Sequence, residues 1–458
     1  MKKHITFALL FAAALTAQAQ QGGISGEMLN QIKQSYKATP ADKAIRNALG
    51  GTSINTLALN QENRADFDTE FSHKVLSKGI TDQQSSGRCW LFTGLNVLRS
   101  QMIAKYGLDE MEFSQNYCFF YDQLEKANLF LQGIIDTSGK PMDDKMVEWL
   151  FKHPLSDGGQ FTGVSDIIEK YGLVPKSAMV ETFSSENTGK MSSLIGLKLK
   201  EFGLQLREAA ATGAKPAELE KKKKEMLGTV YRMLVLTLGE PVSTFTWSLK
   251  GGEAKEYTPV SFYKEFLGND LTNNYVMLMN DPSREFYKCY EIDFDRHRYD
   301  GKNWTYVNLP IEDIKEIAIA SIKDSTMMYF SCDVGKFLDS KRGLLDPDNY
   351  DYESLMGTTF GMDKKQRIQT FSSGSSHAMT LMAVDLDKAG KPKKWMVENS
   401  WGSASGYRGH LIMTDKWFDE YMFRVVAEKK YVPAKVLDIL KQKPIRLPAW
   451  DPMFADEE

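Results

Sequence analysis

An α+β fold in two lobes is expected, a helical lobe carrying a cysteine and a β lobe carrying a histidine and an asparagine. A large helical insertion separates them, and an extended C-terminal arm follows. Three features carry this reading. A helical stretch opens at Cys89, with Leu91, Leu95, Leu98 and Met102 on one face. A hairpin pattern occupies the last quarter, where the apolar run Ala378 to Val384 meets a turn composition and then a second strand ending near Asn399. Pro444, Pro448 and Pro452 then deny the end of the chain a helix.

Taken in order, residues 1–19 have the layout of a secretory signal: Lys2 and Lys3, the apolar run Ile5 to Ala17, and the small-x-small triplet Ala17-Gln18-Ala19. The run is shorter than the roughly 20 apolar residues that cross a bilayer, and no cysteine follows it for a lipid anchor. The expectation is an exported, periplasmic protein of a bacterium, without membrane association after cleavage. Removing Lys2 and Lys3, and no acid, takes the formal charge from −3 to −5. A chain so charged is a poor partner for nucleic acid, which is bound by clustered Lys and Arg. The one basic run, Lys221 to Lys224, sits beside Glu218, Glu220 and Glu225 as a solvated helix face.

Residues 20–78 read as a polar N-terminal extension with short helical pieces and a Gly50-Gly51 break. Residues 79–193 form the helical lobe, whose leading helix stops at Gly107. Residues 194–345 are expected to be a mainly helical insertion: Leu194 to Leu238 is helical apart from a break at Gly213 to Pro216, and another helix follows Pro310. Residues 346–443 form the β lobe and 444–458 the arm. The 458 residues, 42% hydrophobic, suffice for a sizeable core. Cys118, Cys289 and Cys332 are read as small core hydrophobes. No C-x-x-C or Cys/His cluster suggests structural zinc.

Thiol chemistry needs a thiolate, a base and donors for an oxyanion. Cys89 falls in the first turn of its helix, where the positive end of the dipole favours an anion. Arg88 is expected to add a cation beside it, and Gly87 lets backbone come close to a substrate. Gln83 can offer its side-chain amide as one oxyanion donor, with the Cys89 N–H as the other. His377 follows the loop Ser372-Ser373-Gly374-Ser375-Ser376, and Asn399 closes the partner strand. A hairpin centred on Lys388 sets these two residues directly opposite, so that a carboxamide oxygen can hold the imidazole N–H and fix its tautomer. His4 lies in the signal, and His73, His153, His297 and His410 are read as structural or surface residues. Neither a metal nor an organic cofactor is required by such chemistry.

The segments Ser86-Gly87-Arg88-Cys89-Trp90, Ser376-His377-Ala378-Met379 and Glu398-Asn399-Ser400-Trp401-Gly402 resemble the bleomycin hydrolase/aminopeptidase C family of papain-like cysteine peptidases. So do Asp157-Gly158-Gly159-Gln160, Tyr171 to Lys176, Ala320 to Asp324, Cys332 to Lys336 and Leu447 to Met453, which together reach across nearly all of the mature chain. The step from Cys89 to His377 is 288 residues, against roughly 130–150 in ordinary papain-like enzymes. The resemblance implies that the extra length is a helical arm assembling a homohexameric barrel. It also implies peptide substrates, catalysis by Cys89, His377 and Asn399, and an oxyanion role for Gln83. By the same resemblance Trp401 shields the His–Asn hydrogen bond, Gly158 and Gly159 hold the substrate backbone, and the carboxylate of Glu458 reads a free substrate amine, which makes an aminopeptidase. Three departures stand out: Ser86 replaces a disulfide cysteine of the common signature, the ending Phe454 to Glu458 is acidic, and a signal precedes the chain. Two other readings fit the same residues, a periplasmic endopeptidase after trimming of the tail and a non-catalytic peptide-binding barrel.

Overall fold

The computed structural model describes residues 22–64 and 68–451; the expected signal at 1–19 and Glu458 lie outside them. The chain divides into two compact units, Met1–Leu59 with Asp351–Thr358, and Asn60–Tyr350 with Thr359–Glu458. In the first unit, short polar helices Gly26–Ser35, Pro40–Leu49 and Ile54–Ala58 each begin at a side-chain cap, from Ser25, Thr39 and Ser53. Their lengths match the expected extension. The return segment Tyr352–Met356 is tied in by Asp351 N–H to the Ala58 carbonyl at 2.7 Å.

In the second unit the helix Cys89–Tyr106 runs through the core and stops at Gly107, which adopts the left-handed φ of 61°. Trp90, Leu91, Leu95, Leu98 and Met102 are all essentially inaccessible. Gly94 permits a close crossing with the helix Phe161–Tyr171, because a Cβ there would lie 2.5 Å from a Val164 methyl. The two long helices Thr188–Ala211 and Pro216–Leu238 turn at Gly213 and pack on Gln115–Asp136.

The expectation of a mainly helical 194–345 needs correction. After Leu238 the main helices are Pro259–Phe266 and Ile311–Lys323, whereas Tyr275–Met279, Lys288–Ile292, Thr305–Asn308 and Met328–Cys332 are strands of the main sheet. Strands covered on both faces lose the alternation that would betray them. Met328–Cys332 is buried at every position, so its short apolar run looks the same for either element.

Among the described residues the main sheet has twelve strands. At its centre Met328–Cys332 lies between Met422–Glu428 and His377–Leu386, and Pro392–Glu398 and His410–Thr414 follow on the far side. Ile445–Leu447, the start of the expected arm, is an edge strand parallel to Lys288–Ile292. The hairpin register also differs from expectation. Thr380 pairs with Glu398 and Leu381 with Val397, so the turn centres on Ala389 and not on Lys388. Asp387 sets this turn by accepting the Ala389 and Lys391 N–H groups at 2.8 Å each.

Candidate active site

The site is assembled by laying the segment before the Cys89 helix along the segment after the Asn399 strand. Gln83 N–H donates to the Ser400 carbonyl at 2.8 Å, Gly402 N–H donates to that of Thr81 at 3.1 Å, and Asp82 and Trp401 form a bridge. Beneath this seam Arg99 and Glu398 make a buried ion pair at 2.5 Å. Burial lifts the Glu398 carboxyl to about 7 in spite of the Arg99 guanidinium. Cys89, 2% exposed, is the first residue of its helix. That helix has no side-chain cap, so its positive end acts on the sulfur.

His377 opens its strand, and its main chain pairs with Cys332. The shifted register makes His377 and Asn399 diagonal neighbours, a separation long side chains can span. Here Nε2 of the imidazole lies 2.8 Å from Asn399 Oδ1. The same Oδ1 accepts the Ser400 N–H at 2.8 Å. A main-chain N–H can only donate, so this atom is the amide oxygen and the imidazole hydrogen sits on Nε2. Nδ1 is thereby the basic nitrogen. Trp401 stacks on the ring, centroids 4.7 Å apart. Burial pushes the imidazole down to about 4, with the Asn399 hydrogen bond working in the other direction.

Gly87 and Ser375, each two residues before Cys89 and His377, line one cleft with Asp157, Gly158 and Gly159. The cleft encloses about 1180 Å³, open solvent included. Gly87 N–H donates to Asp157 Oδ2 at 2.7 Å, and a Cβ on Gly87 would lie 2.4 Å from the other carboxylate oxygen. Glycine is required there by contact. Gln83 is clamped at both ends of its amide: Oε1 accepts from Ser400 Oγ at 2.6 Å, and Nε2 donates to the Ser86 carbonyl at 2.6 Å. One Nε2 hydrogen is thus committed, leaving the second for another acceptor.

Arg88 does not play its expected part. Its guanidinium is fully buried between the rings of Phe92 and Phe119 and pairs with Glu181 at 2.8 Å, so it offers no uncompensated charge to the neighbouring sulfur. The sequence reading missed this because Glu181 lies far along the chain. Ser86 fills the place of the absent disulfide cysteine by donating to the Gln83 carbonyl and accepting from Arg88 Nε. None of the four cysteines is in a disulfide and all are buried. Burial pushes the Cys118 thiol up, and that of Cys289 to about 11.

A family model described as the peptidase C1-like family matches residues 23–454. The chain belongs to the peptidase C1-like family. Bleomycin hydrolase of Mus musculus is 37% identical over 449 residues, covering 94% of this chain and 98% of the relative. Aminopeptidase C of Listeria monocytogenes is 36% identical over 440 residues, with 94% and 99% covered. The crystal structure of PepW from Lactobacillus rhamnosis superimposes with a TM-score of 0.90 at 36% identity, covering 95% of this chain and 99% of that one. This C1-like chain therefore has the papain-like α+β fold and is a cysteine peptidase, a hydrolase.

Within the C1-like site, the structure brings His377, Asn399 and Trp401 together, sets Gln83 against Ser400, and puts Gly158 and Gly159 on the cleft wall. The described arm reaches Asp451, which pairs with Arg284, and its Ala449 lines the same cleft. Sequence reasoning missed Asp157 as the partner of Gly87. It also missed His297, a buried residue of the cleft wall. Asp157 adjoins the Gly158-Gly159 pair and could have been flagged with it, whereas nothing near His297 in the chain signals its place.

Proposed function

We propose that this cysteine peptidase removes N-terminal residues from peptides, with Cys89 as nucleophile, His377 as acid and base, and Asn399 as the group that orients the imidazole. The observation that carries the reading is the His377 Nε2 to Asn399 Oδ1 hydrogen bond, which leaves Nδ1 as the basic atom, while Gly87 and Ser375, each two residues before Cys89 and His377, line one cleft. The Cys89 thiol gives its proton to His377 Nδ1 as the sulfur attacks the substrate carbonyl, and the resulting oxyanion takes hydrogen bonds from the second Gln83 Nε2 hydrogen and the Cys89 N–H. His377 gives its proton to the leaving amine as the C–N bond breaks, which leaves an acyl thioester on Cys89. A water then gives a proton back to His377, attacks the thioester and frees the acid product together with the thiol.

Preference for a free N-terminus is supported by the relatives named aminopeptidase C. It is assigned to the C-terminal carboxylate of Glu458, since an arm whose Ala449 already lines the cleft has nine residues left to run. A carboxylate there pairs a substrate ammonium, which an N-blocked peptide lacks. Export to the periplasm and assembly into a homohexamer complete the reading.

The deciding experiment compares N-free and N-blocked fluorogenic peptides on the native protein and on Cys89→Ala. Hydrolysis restricted to the free-amine substrate and lost in Cys89→Ala is expected. Faster turnover of the blocked substrate would overturn the aminopeptidase assignment in favour of an endopeptidase. Mass spectrometry of the exported chain checks cleavage after Ala19, and light scattering checks the hexamer.

A further inference from the structure

The cleft wall carries a largely buried polar cluster that the proposed mechanism does not use, with Lys126 and His297 among the lining residues. Lys126 Nζ donates to the carbonyls of Gly158 at 2.6 Å and Ser156 at 2.9 Å, and pairs with Asp122 at 2.9 Å. An ammonium has three hydrogens, so these partners exhaust it. Asp122 is wholly buried, and its other oxygen receives His297 Nδ1. Burial alone would raise the Asp122 carboxyl, yet Lys126 and His297 hold it below the usual range. The His297 ring in turn fills the space beside Gly159 and Gly163, where a Cβ would come within 2.4 and 2.3 Å of it, and meets the edge of Trp90 at 4.7 Å.

The loop 156–159 has no helix or strand of its own to fix its carbonyls. Side chains hold them instead: Trp90 Nε1 donates to the Asp157 carbonyl and Gln123 Nε2 to that of Ser156, each at 2.9 Å, while Lys126, held on a buried carboxylate, joins the carbonyls of Ser156 and Gly158. We infer that Lys126, anchored by Asp122 and His297, is a positioning residue that fixes the Gly158-Gly159 edge on which the substrate main chain lies. The inference rests on the peptidase reading above. Lys126 acts through the loop backbone, so its loss loosens substrate binding while leaving the Cys89 and His377 chemistry in place.

The test measures KM and kcat on an N-free aminoacyl fluorogenic amide, together with the rate of Cys89 alkylation by iodoacetamide, on the full chain. Lys126→Met is expected to raise KM about tenfold or more, the worth of a lost charge-assisted hydrogen bond. It should leave kcat within about threefold, and alkylation within about twofold, of native. Lys126→Arg, which keeps the charge, is expected to recover part of the loss. If Lys126→Met does not fold, Asp122→Asn carries the test, because it keeps the volume and weakens only the anchor; KM should again rise with alkylation unchanged. A folded variant with native KM, or one whose alkylation rate falls in step with its activity, overturns the inference. Native protein whose activity survives Cys89→Ala would strike the peptidase reading instead, so the two failures are distinguishable.

Discussion

Replacing Trp401 by alanine uncovers one face of the His377 imidazole, and the consequence is a displaced pH profile. The indole stacks on that ring at 4.7 Å and 29°. Burial is the main reason the imidazole sits at about 4 and not at 6.5. With about 1.36 kcal/mol for each tenfold in the protonation equilibrium, this gap opposes the imidazolium by a few kcal/mol. Water readmitted to one face restores a part of that and moves the imidazole back towards its ordinary value. The acid limb of kcat/KM belongs to the sulfur–imidazole pair as a unit, and it should move up by about one pH unit in Trp401→Ala. Activity on the acid limb should then fall relative to the native protein, while activity at pH 7 is unchanged. The assay is kcat/KM on an N-free aminoacyl fluorogenic amide between pH 3.5 and 8. A limb that stays in place, or moves to lower pH, in a folded Trp401→Ala would show that the indole does not hold the imidazole out of water.

Folding stability should follow the same group. Because His377 binds a proton less readily folded than unfolded, its contribution is present above pH 6.5 and lost as pH falls towards about 4; His377→Gln should flatten that part of the urea-midpoint curve. Gln83→Ala removes one proposed oxyanion donor and should cost about 10²–10³ in kcat with little change in KM, measured in steady state. Arg99→Met leaves Glu398 buried without its cation and should destabilise by about 3–5 kcal/mol. Since Glu398 already sits at about 7 and rises further without Arg99, that loss should grow as pH is raised from 6 to 9, by chemical denaturation. A loss independent of pH would mean that the carboxyl is not the group left stranded.

Local features were legible in the sequence and long-range ones were not. The Cys89 helix announced its start and stop through leucine spacing and Gly107, and the hairpin through its turn composition. The register slipped by two residues because the Asp387 loop is centred one position later than the composition suggested, and a hairpin doubles any such displacement. The strands between Tyr275 and Cys332 were hidden by their own burial. The partnership of His297 with Asp122 spans 175 positions, and that of Arg88 with Glu181 spans 93. No periodicity records such pairs, although Asp122 and Lys126, four apart on one helix, were visible as neighbours.

The fate of Arg88 changes what activates the cysteine. With its charge compensated by Glu181 and its head group enclosed by Phe92 and Phe119, it cannot be the ion that supports a Cys89 thiolate. In the proposed mechanism that support falls to the helix N-terminus and to a proton on His377. A buried ion pair is weak support for stability, because desolvation cancels much of its attraction, but it is a strong constraint on geometry. It joins three other ties on the segment from Thr81 to Arg88: Gly87 to Asp157, Gln83 to Ser400, and Gly402 to Thr81. They approach from different parts of the chain. Their combined effect is to do by hydrogen bonds what a disulfide at position 86 would do covalently, holding the Gln83 amide and the Cys89 N–H in fixed relation before a substrate arrives. Donors that need no reorganisation as negative charge develops are the ones that lower a barrier most, so the proposed mechanism draws on the rigidity of this loop more than on the charge beside it.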